Sequence, residues 1–404
     1  MTTWDAIVVG AGPAGSATAR RLARAGASVL VLERARFPRD KPCSEYLSPE
    51  TVRLVEALGD DVIRAVDRAA PARLYGMRIV APDGTSVVGR FAGAHRYPSP
   101  RPCGLALPRR IFDSLLADGA ARAGAEVRQE VAVEGLARDG GAVWGVVCRS
   151  ASGVREALRS RVVIGADGLR SVVARRLGAR RSSPPRRVAF TAHLSDVAGV
   201  SEMGEMHVSE SGYVGLGPVG RGVTTVALVV PAATVRARDL PARFFEEVDR
   251  FPGLRGRFRA DRVVRPILAT GPFAQWSPSS TADGALLVGD AADFFDPFTG
   301  QGIFAALKGA ELAAETLLPL LAAGAAVTRK ALAPYRAARR RAFLGKWALE
   351  RAIGLGVGWP ALANRVVGRL ARHPALADLL VGATGNFVPA REVLAPGALA
   401  RLLF

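Results

Sequence analysis

A chain of 404 residues can bury a large core and organise two closely joined domains. Hydrophobic residues make up 49% of it, yet no run approaches the roughly 20 apolar residues of a membrane-spanning helix. The formal charge of +19 is not a nucleic-acid signature, because no basic strand is interleaved with aromatic residues as in an RNA reader.

The first residues, Met1 to Asp5, lead straight into an apolar strand, which leaves no room for a secretory signal. Cys43, Cys103 and Cys148 are few, distant and odd in number, so the expected setting is a reducing cytoplasm without a disulfide framework. The strand Asp5-Ala6-Ile7-Val8-Val9 runs into Gly10-Ala11-Gly12-Pro13-Ala14-Gly15, and helical periodicity follows over 13–24. Gly10 permits a tight turn, Gly12 lets backbone approach a pyrophosphate, and Gly15 lets helix and strand pack closely. The helix start offers free N–H groups and a positive dipole end, with Pro13 suited to its first turn. A second strand over 28–32 ends at Glu33, 18 residues beyond Gly15, where a carboxylate can accept hydrogen bonds from a ribose.

A polar loop over 35–49 precedes a helix predicted over 50–58. Turn signals such as Pro82-Asp83-Gly84 divide 71–107 into short antiparallel strands, and 109–123 carries a helical stripe. Segments 126–136 and 142–149, joined through Asp139-Gly140-Gly141, form a predicted hairpin. A strand over 161–166 then delivers Asp167-Gly168. Strands are expected at 187–194, 204–209, 212–217 and 223–230, making, with 71–107, a sheet that covers one face of the cofactor. Strand 284–289 returns the chain to the nucleotide-binding part. Asp290 follows it, placed to accept hydroxyl hydrogen bonds from a sugar chain. Pro297-Phe298-Thr299-Gly300-Gln301-Gly302 then opens a helix running to about residue 321, and its N–H groups can stabilise negative charge.

The remainder is helical and basic, with 13 Lys/Arg against 3 Asp/Glu over 328–404, so 13 − 3 = +10 of the net charge lies there. Breaks are expected at Gly354-Leu355-Gly356 and Trp359-Pro360. Leu332, Tyr335, Ala338, Ala342 and Phe343 form an apolar stripe, with Arg336, Arg339, Arg340 and Lys346 mainly off it. Docking of that stripe on the core is the first expectation. Loose contact of 328–404 with an anionic membrane is the second. His95, His193, His207 and His373 are dispersed without metal-ligand spacing, so no metal is expected. Tyr46, Tyr213, His193 and His207 are polar candidates for a pocket wall, with no general base identifiable.

The motifs at Gly10–Gly15, Gly165-Ala166-Asp167-Gly168 and Gly289-Asp290 with Pro297, Gly300 and Gly302 resemble one flavoprotein superfamily. It includes para-hydroxybenzoate-hydroxylase-type monooxygenases and geranylgeranyl reductases, and the likeness spans nearly the whole chain. It implies a mixed α/β fold: a Rossmann-like FAD-binding domain (1–70, 108–180, 281–325) interleaved with an antiparallel-sheet substrate domain (71–107, 181–280) and a C-terminal helical region (326–404). It implies non-covalent FAD, with Asp290 on ribityl hydroxyls, Asp167 near the dinucleotide and Arg109 contacting the cofactor from a helix start. Pro13, Ala14, Arg34, Lys41, Gly168, Pro297, Gly300, Gln301 and Gly302 complete the implied contacts. No second glycine fingerprint or redox cysteine pair follows, so NAD(P)H would act as a transient reductant.

Lys41-Pro42-Cys43-Ser44-Glu45-Tyr46-Leu47-Ser48-Pro49 resembles the Lys-x-Cys segment of the reductase branch. The segment Gly212 to Pro218, however, lacks that branch's Trp and Phe, and the Trp-x-Trp-x-Ile-Pro element of halogenases is missing. The first expectation is therefore a monooxygenase that consumes NAD(P)H and O2 and acts on a hydrophobic small molecule. The alternative is a reductase saturating prenyl double bonds, with Cys43 as a candidate for proton or hydride delivery. A non-catalytic binding protein would not need so complete a cofactor site.

Overall fold

Five parallel strands with aligned ends set the position of everything that follows. The computed structural model describes residues 3–93, 95–184, 186–234 and 240–403. Residues 1 and 404, which end the expected domains, and 185 and 235–239, within the expected substrate domain, lie outside them. Strand Thr3–Val9 pairs in parallel with Val29–Leu32 on one side and Arg155–Gly165 on the other. Ala285–Leu287 extends the sheet beyond Arg155–Gly165, and Glu126–Arg128 extends it beyond Val29–Leu32. Val9 faces Leu32 and Gly165 in register, and Gly165 faces Leu287. Gly10, Glu33, Ala166 and Val288 therefore leave the sheet at one level, along its carboxyl edge. An open parallel sheet binds ligands at that edge.

Helix Pro13–Arg24 packs on this sheet through buried Ala14, Ala17 and Leu22 and against the long helix Gly302–Ala322. Gly15 makes the close approach possible: a Cβ there would lie 1.8 Å from the carbonyl oxygen of Gly10. The hairpin Ala132–Asp139 and Ala142–Arg149 attaches antiparallel to the outer half of Arg155–Gly165. The sequence-predicted strand over 126–136 is thus two strands. The chain turns at Glu130, with φ 59°, because its first part must lie beside Val29–Leu32 and its second beside Ala142–Arg149. A further helix, Asp60–Arg68, which the sequence reading did not include, packs through buried Val62 and Val66.

The second sheet has seven strands in the order Val263–Thr270, Arg187–Ser195, Val223–Pro231, Gly212–Gly220, Gly204–Ser209, Gly76–Val80 and Ser86–Arg90. It is antiparallel except where Gly204–Ser209 meets Gly76–Val80. Segments some 100 residues apart in sequence therefore share one sheet, as expected from their alternation. Its outer face is filled by Phe190, Leu194, Val226, Leu228 and Phe244.

The C-terminal helices Ala333–Gly356, Pro360–Arg372 and Pro374–Thr384 close the remaining side, where Leu349, Val367, Leu370 and Ala377 pack on Ala81 and Val87 of the hairpin edge. Helix Ala333–Gly356 runs through Gly354 and Leu355, so the chain breaks only near Trp359. Leu332, Tyr335 and Phe343 are buried as the stripe requires, but Ala342 is exposed. Arg339 is also buried, paired with Asp293, and Lys346 reaches Glu350 at 2.7 Å. Two of the basic residues expected off the stripe thus neutralise interior carboxylates. No helix among the described residues is long and apolar enough to cross a membrane.

Substituting Gly15→Ala forces a methyl group onto the Gly10 carbonyl, which belongs to a buried turn and cannot swing aside. Urea unfolding of that variant should show a loss of about 1–3 kcal/mol, the usual cost of overpacking.

Candidate functional site

A cleft enclosing about 1160 Å³, open solvent included, lies between the carboxyl edge of the parallel sheet and the inner face of the antiparallel one. Gly12, Pro13, Ala14, Lys41, Arg109, Gly168, Asp290, Pro297, Gly300 and Gly302 all line it. These ten come from five separate parts of the sequence. Ala189, Met206, Gly215, Ala227 and Val229 of the second sheet supply the opposite, apolar wall.

The cleft holds polar groups that the protein itself does not satisfy. Neither the Lys41 ammonium nor the Asp290 carboxylate makes a hydrogen bond or ion pair among the described residues. Burial, reinforced by nearby Arg109, lowers the Lys41 pKa. Burial raises that of Asp290, although Lys41 and Arg109 oppose it. A sugar hydroxyl on Asp290 and an acceptor on Lys41 would satisfy both. Gly12 leaves open space, since the nearest atom to a Cβ built there is an Arg39 nitrogen at 3.8 Å, and the helix behind it has no side-chain cap. Gly300 turns at φ 66° and Gly302 starts a helix that also lacks a side-chain cap. Two helix N-termini, a free carboxylate and a free ammonium around one cleft are the donor and acceptor set that FAD requires, and the residues fit it.

The remaining expected contacts sit behind the wall. Gly10 and Gly15 act through packing. Both oxygens of Glu33 accept backbone N–H groups, from Ala11 at 2.9 Å and Ala35 at 3.0 Å, so this carboxylate shapes the glycine turn. Arg34 is exposed and unpaired among the described residues. Asp167 does not face the cleft: its carboxylate accepts the Ser171 hydroxyl and the Val172 N–H, both at 2.6 Å, and caps helix Val172–Arg176. Gln301 is turned outward, donating to the carbonyls of Ala383 and Thr384 on a C-terminal helix. In both cases an unsatisfied helix end draws the side chain away, and sequence spacing cannot register that.

Of the polar candidates for the wall, Tyr213 lines the cleft and His207 does not, and Arg39 joins from the loop before Lys41. Arg39 lies beside Gly12, 3.0 Å from Asp113 and 3.6 Å from Glu33, and adds positive charge near the helix start. Tyr213 rests its ring on the cleft and donates to Asp296 at 2.6 Å, and Arg187 meets the same carboxylate at 2.6 Å. His207 is instead held by Glu205 at 2.8 Å, away from this cleft. Burial pushes the Glu205 carboxyl up, but hydrogen bonds from His207 and Arg257 outweigh that and hold it down, at about 2.

Cys43, Ser44 and Tyr46 line the cleft, whereas Glu45 between them turns away at φ 62°. Its carboxylate accepts the Arg109 N–H at 3.0 Å and lies 2.6 Å from Nε2 of His193 on the second sheet. The Glu45 N–H in turn reaches the Cys43 sulfur at 3.3 Å. Glu45 is therefore the peg that fixes this wall to both sheets, holding Arg109 and Cys43 side by side. A left-handed residue costs about 1–3 kcal/mol and persists only when its surroundings demand it.

A second, apolar cavity continues from the first past Tyr46, Met206 and Gly300. Leu74, Met77, Ile79, Leu216, Phe298 and Leu380 line it, and the C-terminal helices close it.

A family model described as an FAD binding domain matches residues 3–345. The digeranylgeranylglycerophospholipid reductase of Methanosarcina acetivorans is 30% identical over 332 residues, covering 80% of this chain and 76% of that protein. In solved structures, a flavoprotein/dehydrogenase from Cytophaga hutchinsonii superposes with TM-score 0.85 at 19% identity over 98% of this chain and 96% of its own. A geranylgeranyl bacteriochlorophyll reductase-like protein from Thermoplasma acidophilum gives 0.80 at 23% identity, covering 100% and 99%. Fold and cleft together define a flavin-dependent oxidoreductase that holds FAD. Within that class, the chain belongs to the FAD-binding family of the geranylgeranyl reductases.

Two substitutions separate the parts of this wall. Gly12→Ala should fold with normal stability yet bind FAD about tenfold or more weakly, because its methyl group projects into the cleft; fluorescence titration of the apoprotein measures this. Glu45→Ala leaves a buried N–H unpaired, which costs about 1–3 kcal/mol. It should speed alkylation of Cys43 by iodoacetamide about five- to tenfold, whereas Glu45→Gln keeps both bonds and the original rate. Cys103 and Cys148 are buried, so the labelled peptide reports Cys43.

Proposed function

We propose that this protein is an FAD-dependent reductase that saturates double bonds of a prenyl-chain lipid. The observation that carries the reading is the second cavity, an apolar extension of the cofactor cleft whose lining suits a hydrocarbon chain. The name of the 30%-identical relative supports the same substrate class, and so does the Lys41-x-Cys43 segment, which lines the cofactor cleft. The oxygenase expectation has weaker support, since none of these features calls for oxygen.

Gly12, Pro13 and Ala14 would hold the pyrophosphate, Asp290 the ribityl chain, and the Pro297–Gly302 loop with Lys41 the ring. When bound and reduced, FAD supplies a hydride equivalent to a double bond. The chain's own contribution is to align the double bond, exclude water and deliver a proton. Two protic groups, Ser44 and Tyr46, line both cavities where they meet, and Cys43 lines the cofactor cleft beside them. Burial holds the Tyr46 phenol well above its usual pKa, so it keeps its proton, and the Arg109 guanidinium lies beside the Cys43 sulfur. Reduced nicotinamide is the proposed source of electrons, binding transiently. In this reading 1–70, 108–180 and 281–325 serve the cofactor, 71–107 and 181–280 the substrate, and 326–404 the cavity's closure and access from a lipid surface.

Anaerobic turnover tests the choice. Dithionite-reduced protein given a geranylgeranyl lipid without O2 should return product heavier by two hydrogens per double bond, read by mass spectrometry. Turnover that requires O2 and adds one oxygen atom would reinstate the oxygenase reading.

A further inference from the structure

We propose that the outer face of helix Ala333–Gly356, with Trp359 just beyond it, seats the protein on an anionic membrane surface. The proposal rests on the lipid-substrate reading for its purpose, but its physical basis is separate. Few large hydrophobic side chains are exposed among the described residues, and three of them gather here: Leu344 at 55%, Leu355 at 65% and Trp359 at 70%. On the helix, Leu344 and Leu355 share a face with exposed Ala337, Arg341, Ala348 and Ala352, spaced three or four residues apart. No carboxylate lies on that face. The helix's one acidic residue, Glu350, points inward to Lys346 and Thr299.

The charge on the face has one sign. Arg340 and Arg341 are exposed and pair with no carboxylate among the described residues, and Arg351, also exposed, lies over the Phe295 ring. Residues 328–404 carry 13 − 3 = +10. Exposed leucines, an interfacial tryptophan and unpaired arginines on one helix face form the pattern of a helix lying in the plane of a membrane. Charge complementarity selects anionic lipid as the occupant. A second copy is a poor occupant, because a two-fold contact would bring together two faces that both carry unpaired arginines and no carboxylate. Position agrees: Ile353, two residues before Leu355, lines the apolar cavity. A lipid chain leaving the bilayer at this face would have a short path to that cavity.

The test uses the FAD-loaded full chain and vesicles without any prenyl lipid, so it does not depend on the reaction. Flotation with phosphatidylglycerol vesicles at low salt should carry the protein upward. Neutral phosphatidylcholine vesicles should carry at least tenfold less, and high salt should release it. Brominated lipid should quench Trp359 fluorescence, with the signal lost in Trp359→Phe. Leu355→Glu with Trp359→Glu should lower partition at least tenfold, and Arg340→Gln with Arg341→Gln by roughly tenfold or more. Unchanged melting temperature and FAD content show that these variants fold. Absence of binding to anionic vesicles, or binding that the variants leave intact, would overturn the proposal. So would light scattering that shows a dimer converted to monomer by the Glu variants, since the face would then join two copies. Failure here leaves the anaerobic reduction result standing, and failure of that reaction leaves the vesicle result standing.

Discussion

The shared register of the parallel strands is the constraint on which the site depends. Val9, Leu32, Gly165 and Leu287 lie side by side because the backbone ladder pairs them, and the ladder holds because both faces of the sheet are buried. A slip of one residue in any strand would turn its apolar set to the wrong face. Gly10, Glu33, Ala166 and Gly289 consequently leave the sheet together, and a cofactor-sized cleft forms without any one segment having to build it. The close approach of Gly15 to Gly10 completes that arrangement by bringing a helix N-terminus to the same edge.

A second layer of control lies in buried charge. The loop that follows Asp290 is clamped by three carboxylates: Asp293 takes Arg339 and the Trp347 indole, Asp296 takes Arg187 and Tyr213, and Glu350 takes Thr299 and Lys346. Buried ion pairs add little net stability, since desolvation offsets much of their attraction. What they provide here is definition. Asp296 ties the loop to the antiparallel sheet, and Arg187 continues the tie to the Gly354 carbonyl at 2.7 Å. The helix that carries the exposed leucines is thereby joined to the loop that borders the cofactor. Glu45 plays the corresponding part on the opposite wall.

Apolar cavity and polar cleft meet at Tyr46 and Gly300, where a Cβ on Gly300 would lie 3.0 Å from the tyrosine ring. The C-terminal helices add Leu380, Val381 and Thr384 to the lining of the apolar cavity and also cover the sheet edge.

Sequence alone determined the features whose cause is local. Strand, glycine turn and helix at the start, the acid at Glu33, the turn at Gly300 and the alternation of the second sheet all follow from short-range sterics and periodicity, and the structure has them at the expected positions. Buried stripe residues Tyr335 and Phe343 were legible for the same reason. Only tertiary structure decided which polar side chains face the cleft. Asp167 and Gln301 lie within the motifs but are drawn off by helix ends that need partners, while Arg39 and Glu45 take on positioning roles that their place in the sequence does not announce. Arg339 and Lys346 read as surface charges until Asp293 and Glu350, brought in by the fold, turn them inward. A side chain's direction is set by the unpaired groups within its reach, and those become neighbours only when distant parts of the chain are packed together.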